Sequence, residues 1–287
     1  MQAYLNDRFL PLDEASISPM DRGYLFGDGI YEVIRVIEGE TFKAQEHLAR
    51  MDQGLQALEI NLDQNKRQKI EEVSRQLLEM NRHQEGEATI YVQVTRGTAI
   101  PRTHVFPEQS VEPTLFITTS PFTPHKDLHQ KGVNVITVAD VRWKRCNLKT
   151  TQLLPNTLAR EQAKKTGANS AMLIRDGVVT ESPNANIFAV KNEVLYTFPA
   201  SHYILNGVTR QVVIEIANDL DIPLIPDPVR EEEIFSFDEF FFTGTTTDIQ
   251  PITMVNGKPI GNGQPGPVVR KVQEAYNELL YKKTVHH

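Results

Sequence analysis

The sequence IYEVIRVIEGETF, at residues 30–42, predicts the first two strands of a sheet. Its first eight residues are rich in β-branched side chains, which favour a strand. Glu38-Gly39-Glu40 then forms a turn and Thr41-Phe42 begins a second strand, so the stretch predicts a β-hairpin. Because side chains alternate along a strand, Tyr31 is expected on one face of the first strand and Glu32 on the other.

Two amphipathic helices are predicted directly after the hairpin. From Gln45 onward, apolar residues recur at the spacing of three and four that is typical of a helix. Asp63 is a suitable N-cap for the second helix. The apolar positions are Leu48, Met51, Leu55 and Leu58 in the first helix, and Ile70, Val73 and Leu77 in the second.

Strands and helices follow one another in mixed order over the rest of the chain. This order, together with the hairpin, predicts an α+β (mixed α/β) fold and not a doubly wound parallel sheet. Two prolines and mixed polar residues interrupt the pattern near residues 120–130. We therefore expect a small α/β domain at 1–120, an interdomain linker at 121–130 and a larger domain at 131–287. Helices are predicted near 153–165, 207–220 and 267–281, and strands at 88–95, 114–119, 133–138, 171–174, 178–180, 186–190, 193–198, 240–243 and 248–255.

Composition excludes several classes of protein. The 287 residues carry 30 Lys and Arg against 37 Asp and Glu, a net charge of −7, and there is no basic run to bind nucleic acid. No apolar stretch is long enough for a transmembrane helix, and the N-terminal residues lack the pattern of a signal peptide. The single cysteine, Cys146, and the scattered histidines predict neither a disulfide nor a metal site. We expect a cytoplasmic protein with no nucleic-acid, membrane or metal partner.

Two charged residues are candidates for chemistry at a cofactor. Lys149 follows an apolar strand and lies near Arg145, so burial and like charge would favour the neutral amine that forms a Schiff base with an aldehyde. A solvated surface lysine is the alternative. Glu181 lies in a polar turn between two apolar strands, where a carboxylate either holds a proton on a ring nitrogen or caps the turn.

Two further segments favour the binding of a phosphate. ILNGVTR, at 204–210, begins a helix whose unpaired N–H groups and Thr209 hydroxyl suit an anion. FTGTTT, at 242–247, follows an aromatic strand with a glycine and four hydroxyl groups. An ordinary helix start and an ordinary strand-end turn remain the alternatives.

A carboxylate-binding group is the last candidate. Arg102 and His104 are two residues apart in a loop, so both side chains can face a substrate carboxylate if the loop is extended. Solvent exposure of both is the alternative. Tyr31 presents a phenol that either contacts a ligand or packs.

A lysine that can form a Schiff base, then a carboxylate for a ring nitrogen, then two phosphate-binding turns follow one another along the chain. This series resembles the active-site residues of the fold-type IV pyridoxal phosphate (PLP) enzymes, and among them most closely those of the D-amino-acid transaminases. The likeness runs from about Met1 to Leu280. It implies the family's small N-terminal α/β domain and a larger, PLP-binding pseudo-barrel domain. The segments that carry it are DRGYLFGDGIYEV (21–33), EHLAR (46–50), VTRGT (94–98), PRTHVFPE (101–108), RWKRCNLK (142–149), TESPNANIF (180–188) and ILNGVTR (204–210).

The resemblance implies a role for each matching residue. Lys149 corresponds to the lysine that forms the internal aldimine and then moves the proton. Glu181 corresponds to the carboxylate that pairs with the pyridine nitrogen, and Leu205 to the apolar residue beneath the ring. The phosphate-binding positions are Arg50, Val208, Thr209 and Thr245. The positions that bind the substrate α-carboxylate are Tyr31, Arg102 and His104, the last two reaching in from the other subunit of a homodimer.

Transamination of D-amino acids such as D-alanine, with 2-oxoglutarate or another 2-oxo acid as acceptor, is the expected activity. Two enzymes of the same fold are the alternatives, a branched-chain L-amino-acid aminotransferase and an aminodeoxychorismate lyase. The first is expected to lack the Arg-x-His loop, and the second releases pyruvate without an amino acceptor. A PLP-binding protein without catalytic activity is the third alternative.

Overall fold

Two compact units make up residues 1–282, the part of the chain that the computed structural model describes. The first unit contains Met1–Thr123 and Leu148–Gln152, and the second contains Pro124–Asn147 and residues 153–282. The boundary at residue 123 falls inside the predicted linker, although a helix at Lys126–Lys131 occupies part of that segment.

The predicted limits need one correction, since they place residues 148–152 in the larger domain. Thr150 instead bridges to Ile30 and Thr151 donates to the carbonyl of Gly29, so this segment packs with the first unit. Residues 283–287 of the predicted larger domain lie outside the described residues.

An antiparallel sheet of six strands, in the order β2-β1-β6-β5-β3-β4, forms the first unit. The predicted hairpin is confirmed, and its turn uses left-handed backbone at Glu38 and Gly39, with φ of 48° and 79°. The strands are β1 (Gln2–Leu5), β2 (Arg8–Pro11), β3 (Gly29–Ile37), β4 (Glu40–Phe42), β5 (Glu87–Thr95) and β6 (Thr114–Pro121).

Two helices cover one face of this sheet, α2 (Ala44–Ala57) and α3 (Gln64–Asn81). A short helix, α1 (Arg22–Phe26), precedes β3. The predicted N-cap is confirmed, because the Asp63 carboxylate accepts from the backbone N–H groups of Asn65 and Lys66. Leu48 and Leu77 are fully buried against the strands. The opposite face of the sheet carries Tyr31, which is half-buried.

The second unit contains a mixed sheet of nine strands, in the order β12-β11-β10-β13-β14-β7-β8-β9, with β15 paired to β14. Parallel pairs join β14 to β7, β7 to β8 and β11 to β12, and the other pairs are antiparallel. The strands are β7 (Val133–Ala139), β8 (Ser170–Arg175), β9 (Val178–Val179), β10 (Asn186–Lys191), β11 (Val194–Thr197), β12 (Leu224–Ile225), β13 (Glu239–Gly244), β14 (Asp248–Val255) and β15 (Lys258–Pro259).

Four helices pack with this sheet, namely α4 (Lys126–Lys131), α5 (Leu154–Lys165), α6 (Val208–Asp219) and α7 (Pro267–Tyr281). Helix α7 is capped from a strand, since the carboxylate of Glu239 accepts from the N–H groups of Val268 at 3.0 Å and Val269 at 2.8 Å. Short 3-10 helices lie at Leu12–Glu14 and Glu231–Ser236. Over residues 1–282, no helix combines the length and the apolar character that crossing a bilayer requires.

Candidate active site

Lys149 lies beside the ring of Tyr31 in the first unit. Its backbone carbonyl accepts the N–H of Tyr31 at 3.0 Å, and its Nζ is 4.1 Å from the centre of the Tyr31 ring. The lysine is half-buried, whereas Arg145 is exposed. The structure thus brings together two of the residues that the sequence singled out, with an aromatic face next to the amine.

A second tyrosine supports Tyr31. The rings of Tyr31 and Tyr91 stack with centroids 5.6 Å apart, and the Tyr91 hydroxyl donates to Gln93 Oε1 at 2.6 Å. Burial raises the pKa of Tyr91 to about 12, so this phenol stays protonated near neutral pH. Sequence reasoning missed Tyr91, although the register of β3 on β5 places it opposite Val33.

The predicted phosphate ligand Arg50 makes an ion pair with a fully buried carboxylate. Its Nε donates to Glu32 Oε1 at 2.7 Å and its Nη2 to Oε2 at 2.8 Å. His47 Nδ1 approaches the same Oε2 at 2.8 Å. Although burial opposes ionisation, Arg50 and His47 together hold the pKa of Glu32 at about 2. Burial lowers the pKa of His47, so near neutral pH its ring is a neutral donor to an ionised Glu32.

Arg102 and His104 are both exposed and both lie against Phe26. The guanidinium carbon of Arg102 is 4.6 Å from the centre of the Phe26 ring, and the ring centroids of His104 and Phe26 are 5.5 Å apart. One aromatic ring therefore supports the two side chains that the sequence predicts to bind a carboxylate.

Glu181 is buried in the second unit with a donor at each oxygen. Arg142 donates to Oε1, while Asn186 Nδ2 and the backbone N–H of Leu205 donate to Oε2 at 2.9 Å and 3.1 Å. Burial raises the pKa of Glu181 to about 7, and the bonds from Arg142 and Leu205 oppose that rise. Near neutral pH this group exchanges a proton readily, and its ionised form favours a protonated ring nitrogen next to it.

Arg142 is itself fixed by an acidic partner that the sequence did not suggest. Its Nε and Nη2 both donate to the fully buried Asp140 carboxylate at 2.8 Å. Arg175 Nη2 lies 3.0 Å from the same carboxylate. Strand and turn spacing gave no signal for this network, because Arg142 and Glu181 are 39 residues apart in the chain.

The start of α6 provides backbone N–H groups for an anion. Its N-cap is Gly207, which has no side chain to occupy those groups, and the first helical residues are Val208 and Thr209. A Cβ at Gly207 would lie 2.2 Å from Asn186 Oδ1, so the close approach of residue 207 to the Asn186 side chain requires glycine. Thr245 lies half-buried in the turn between β13 and β14.

These features fit a phosphorylated aromatic cofactor within the second unit. Asn186 links Glu181 to the segment that precedes α6, because its Nδ2 donates both to the Glu181 carboxylate and, at 2.7 Å, to the carbonyl of Leu205. Leu205 lies three residues before Val208, the first residue of α6. Over the same 282 residues, no group of three or more His, Cys, Asp or Glu side chains is placed to hold a metal ion.

Comparison with known proteins identifies the family. The model of the class IV aminotransferases matches residues 29–255. The chain belongs to the class IV aminotransferases. It is 40% identical to a D-alanine aminotransferase of Staphylococcus aureus, over 98% of this chain and 99% of that protein. It is 38% identical to a D-alanine aminotransferase of Staphylococcus haemolyticus, over 99% of each chain.

Solved structures of branched-chain aminotransferases superpose on this aminotransferase. The enzyme of the thermophilic archaeon Thermoproteus uzoniensis, solved with norvaline, gives a TM-score of 0.85 at 27% identity, covering 99% of this chain and 96% of that one. Another, solved with pyridoxamine 5′-phosphate, gives a TM-score of 0.86 at 25% identity, covering 96% of this chain and 93% of that one. Pyridoxal 5′-phosphate is the cofactor of the family. The fold class and the family predicted from the sequence are therefore confirmed.

Proposed function

We propose that this aminotransferase transfers the amino group of D-amino acids, such as D-alanine, to a 2-oxo acid such as 2-oxoglutarate. Identity of 38% to a D-alanine aminotransferase over 99% of both chains carries the proposal. The loop with Arg102 and His104 supports it, since a paired cation and imidazole suit the α-carboxylate that all these substrates share.

Each residue of the first unit has a defined task in this proposal. The Lys149 amine holds the cofactor aldehyde and afterwards carries the proton removed from the substrate Cα. Tyr31, Arg102 and His104 bind the substrate α-carboxylate, and Arg50 binds the cofactor phosphate. When bound, pyridoxal phosphate supplies the carbon that receives the amino group and a ring that accepts electron density from Cα.

The second unit supports the ring and its phosphate. Glu181, held by Arg142 and Asn186, keeps a proton at the ring nitrogen. Leu205 would lie beneath the ring. The N–H groups at Val208 and Thr209, with the hydroxyl groups of Thr209 and Thr245, bind the phosphate.

One set of assays tests the activity. The protein is incubated with pyridoxal phosphate, D-alanine and 2-oxoglutarate, and pyruvate and glutamate are measured. L-alanine and L-leucine replace D-alanine in parallel reactions, and a further reaction omits the acceptor. We expect turnover with D-alanine only when the acceptor is present. Preference for L-leucine would indicate a branched-chain enzyme. A separate reaction contains aminodeoxychorismate and no acceptor, and release of pyruvate from it would indicate a lyase.

We also propose a homodimer in which Arg102 and His104 serve the active site of the partner subunit. Two variants test this sharing: Lys149→Ala, which has no turnover, and Arg102→Ala, assayed at a D-alanine concentration too low for its raised KM. They are mixed after partial unfolding and reassembly. A mixed dimer contains one site with both Lys149 and Arg102 intact, so random pairing restores about a quarter of the wild-type activity. If each subunit used its own Arg102, no mixture would regain activity.

A cytoplasmic location completes the proposal. The only cysteine of the chain, Cys146, is buried as a free thiol whose pKa is raised by burial. An unpaired thiol suits a reducing compartment. Fractionation of cells that make the protein, followed by immunoblotting, is expected to find it with cytoplasmic markers.

A further inference from the structure

The loop between β5 and β6 carries Arg102 and His104 but has no helix or strand of its own over residues 99–113. Both side chains are exposed, and both rest on the ring of Phe26. An arginine and an imidazole bind a carboxylate well only when their positions are fixed before the carboxylate arrives. The loop backbone therefore needs an anchor.

Arg22, at the start of α1, makes that anchor. Its Nη1 donates to the carbonyl of Thr103 at 2.8 Å and approaches the carbonyl of Val105 at 3.3 Å. Thr103 lies between Arg102 and His104, and Val105 follows directly. The bond thus fixes the backbone at the centre of the carboxylate-binding pair. Arg22 is 4% exposed, so water competes little for these bonds.

Asp28 joins Arg22 to a second buried arginine, Arg96. Arg22 Nε donates to Asp28 Oδ2 at 2.9 Å. Arg96 donates to the same carboxylate through Nε at 2.7 Å and Nη2 at 3.1 Å. We call Arg22, Asp28 and Arg96 the Asp28 clamp.

Arg96 holds both the end of α2 and the far side of the loop. Its guanidinium donates to the carbonyls of Leu58 at 2.6 Å and Glu59 at 3.0 Å. The guanidinium carbon also lies 3.7 Å from the centre of the Phe106 ring. The Asp28 clamp therefore contacts the loop at two points, through hydrogen bonds at Thr103 and through stacking at Phe106.

This arrangement requires the guanidinium group. Arg22 uses one nitrogen for the carboxylate and another for the loop carbonyls, while its guanidinium carbon lies 4.7 Å from the centre of the Phe26 ring. A lysine ammonium at this position keeps the charge but has neither the fixed fork nor the flat face. Arg22→Lys therefore releases the loop while leaving a cation opposite Asp28.

We propose that the Asp28 clamp positions Arg102 and His104, and so determines how tightly the enzyme binds substrates that carry an α-carboxylate. Arg22, Asp28 and Arg96 are positioning residues, since they act through the loop. The inference rests on the proposed function of Arg102 and His104. It goes further by assigning substrate affinity to buried residues that do not touch the substrate.

Arg22→Lys in the holoenzyme is the test, with Arg67→Lys as the matched control. Arg67 also makes a bidentate pair with an aspartate, Asp52, at 2.7 Å and 2.8 Å, but on the outer surface of the same unit. Each variant is assayed with D-alanine and, in single turnovers without acceptor, with D-alanine and D-alaninamide, which lacks the carboxylate. Hydrogen exchange of the peptide 98–110 is measured in the apoprotein.

For Arg22→Lys we expect kcat/KM for D-alanine to fall at least about tenfold, mainly through KM, as for other small displacements of positioning groups. The rate with D-alaninamide stays at the wild-type value, and residues 102–106 exchange faster. Arg67→Lys changes none of these. An equal loss with both amines, or no loss with D-alanine, would overturn the proposal.

Phe106→Leu provides a second variant if Arg22→Lys does not fold. Phe106 is 46% exposed, so its substitution removes the stacking on Arg96 without opening the core. It should lower the D-alanine rate about threefold, the value of one exposed cation–π contact, and again spare D-alaninamide. Loss that does not distinguish the two amines would again contradict the proposal.

The proposed function fails separately from this inference. If Arg102→Ala leaves KM for D-alanine unchanged, the assignment of the carboxylate-binding pair is wrong. If Arg102→Ala raises that KM while Arg22→Lys and Phe106→Leu do not, only the role of the Asp28 clamp is wrong.

Discussion

Substitution of Glu32 by glutamine tests the electrostatics of the first unit directly. The Glu32 side chain is fully buried between Arg50 and His47, and these partners hold its pKa at about 2 against an ordinary value of 4.5. Glutamine keeps the shape of the side chain but removes the negative charge. Arg50, which is partly buried, then keeps at most one of its two bonds to this side chain, because the amide has a single acceptor oxygen, and its charge loses this negative partner.

The pKa difference sets the size of the effect. A carboxylate whose pKa is about 2.5 lower in the folded state adds about 3 kcal/mol to the free energy of unfolding at pH 7. Because the folded pKa is the lower one, this contribution is complete above pH 4.5 and disappears as the pH falls toward 2. About 1 kcal/mol of it is lost by pH 3.5.

Pulsed hydrogen exchange of the apoprotein in urea, read by mass spectrometry on peptides of β3 and β5, measures this quantity in the first unit. We expect Glu32→Gln to lower the free energy of unfolding by about 3 kcal/mol at pH 7 and by clearly less at pH 3.5. Glu71→Gln makes the same chemical change on the exposed face of α3 and should cost less than about 0.5 kcal/mol at either pH.

A destabilisation that is equal at the two pH values would refute the electrostatic reasoning. The loss would then come from packing, because packing does not depend on the ionisation of this group. No destabilisation at pH 7 would show that burial of the charge offsets its pairing with Arg50 and His47.

Three further predictions concern both units. Lys149→Ala should abolish turnover, and borohydride reduction followed by peptide mapping should lose the cofactor tag at residue 149; a normal rate would remove Lys149 from the mechanism. Because burial raises the pKa of Glu181 to about 7, this group stabilises the apoprotein below its unfolded pKa of 4.5, and up to about 3 kcal/mol is lost as the pH rises through 7. In Glu181→Gln, the free energy of unfolding in urea should not show that decline between pH 5 and 8. An identical decline in wild type and variant would contradict this role of Glu181. Gly266→Ala places a Cβ 2.1 Å from Glu239 Cδ and so displaces the Glu239 side chain that caps α7. We expect the free energy of unfolding, measured in urea, to fall by about 1–3 kcal/mol. Glu239→Gln, which keeps an acceptor oxygen, should cost less.

Local patterns in the sequence predict the long elements well. The hairpin at β3 and β4, the N-cap at Asp63 and the helices α2, α3, α6 and α7 were all expected, because each depends on periodicity or capping within a few residues. The edge strands β2, β12 and β15 were not predicted, since two to four residues carry too little pattern.

The site was only partly visible in the sequence because its charges pair over long chain separations. Lys149 and Glu181 were singled out one at a time, but nothing local indicates that Arg142 binds Glu181 or that Arg50 binds Glu32. The expected neighbour of Lys149 was Arg145, four residues away, whereas the structure places the ring of Tyr31 beside its amine. Contacts of this kind depend on tertiary packing and not on spacing.

The pentapeptide at residues 148–152 limits where this chain can be cut into two fragments that fold. A fragment that ends at residue 123 would leave the N–H of Tyr31 without its acceptor and Ile30 without its bridge to Thr150. The remaining fragment would carry the pentapeptide without β3, the strand with which it pairs. Neither half encodes a complete folding unit, so recombination that exchanges the halves between relatives must preserve the match between Ile30-Tyr31 and Lys149-Thr150.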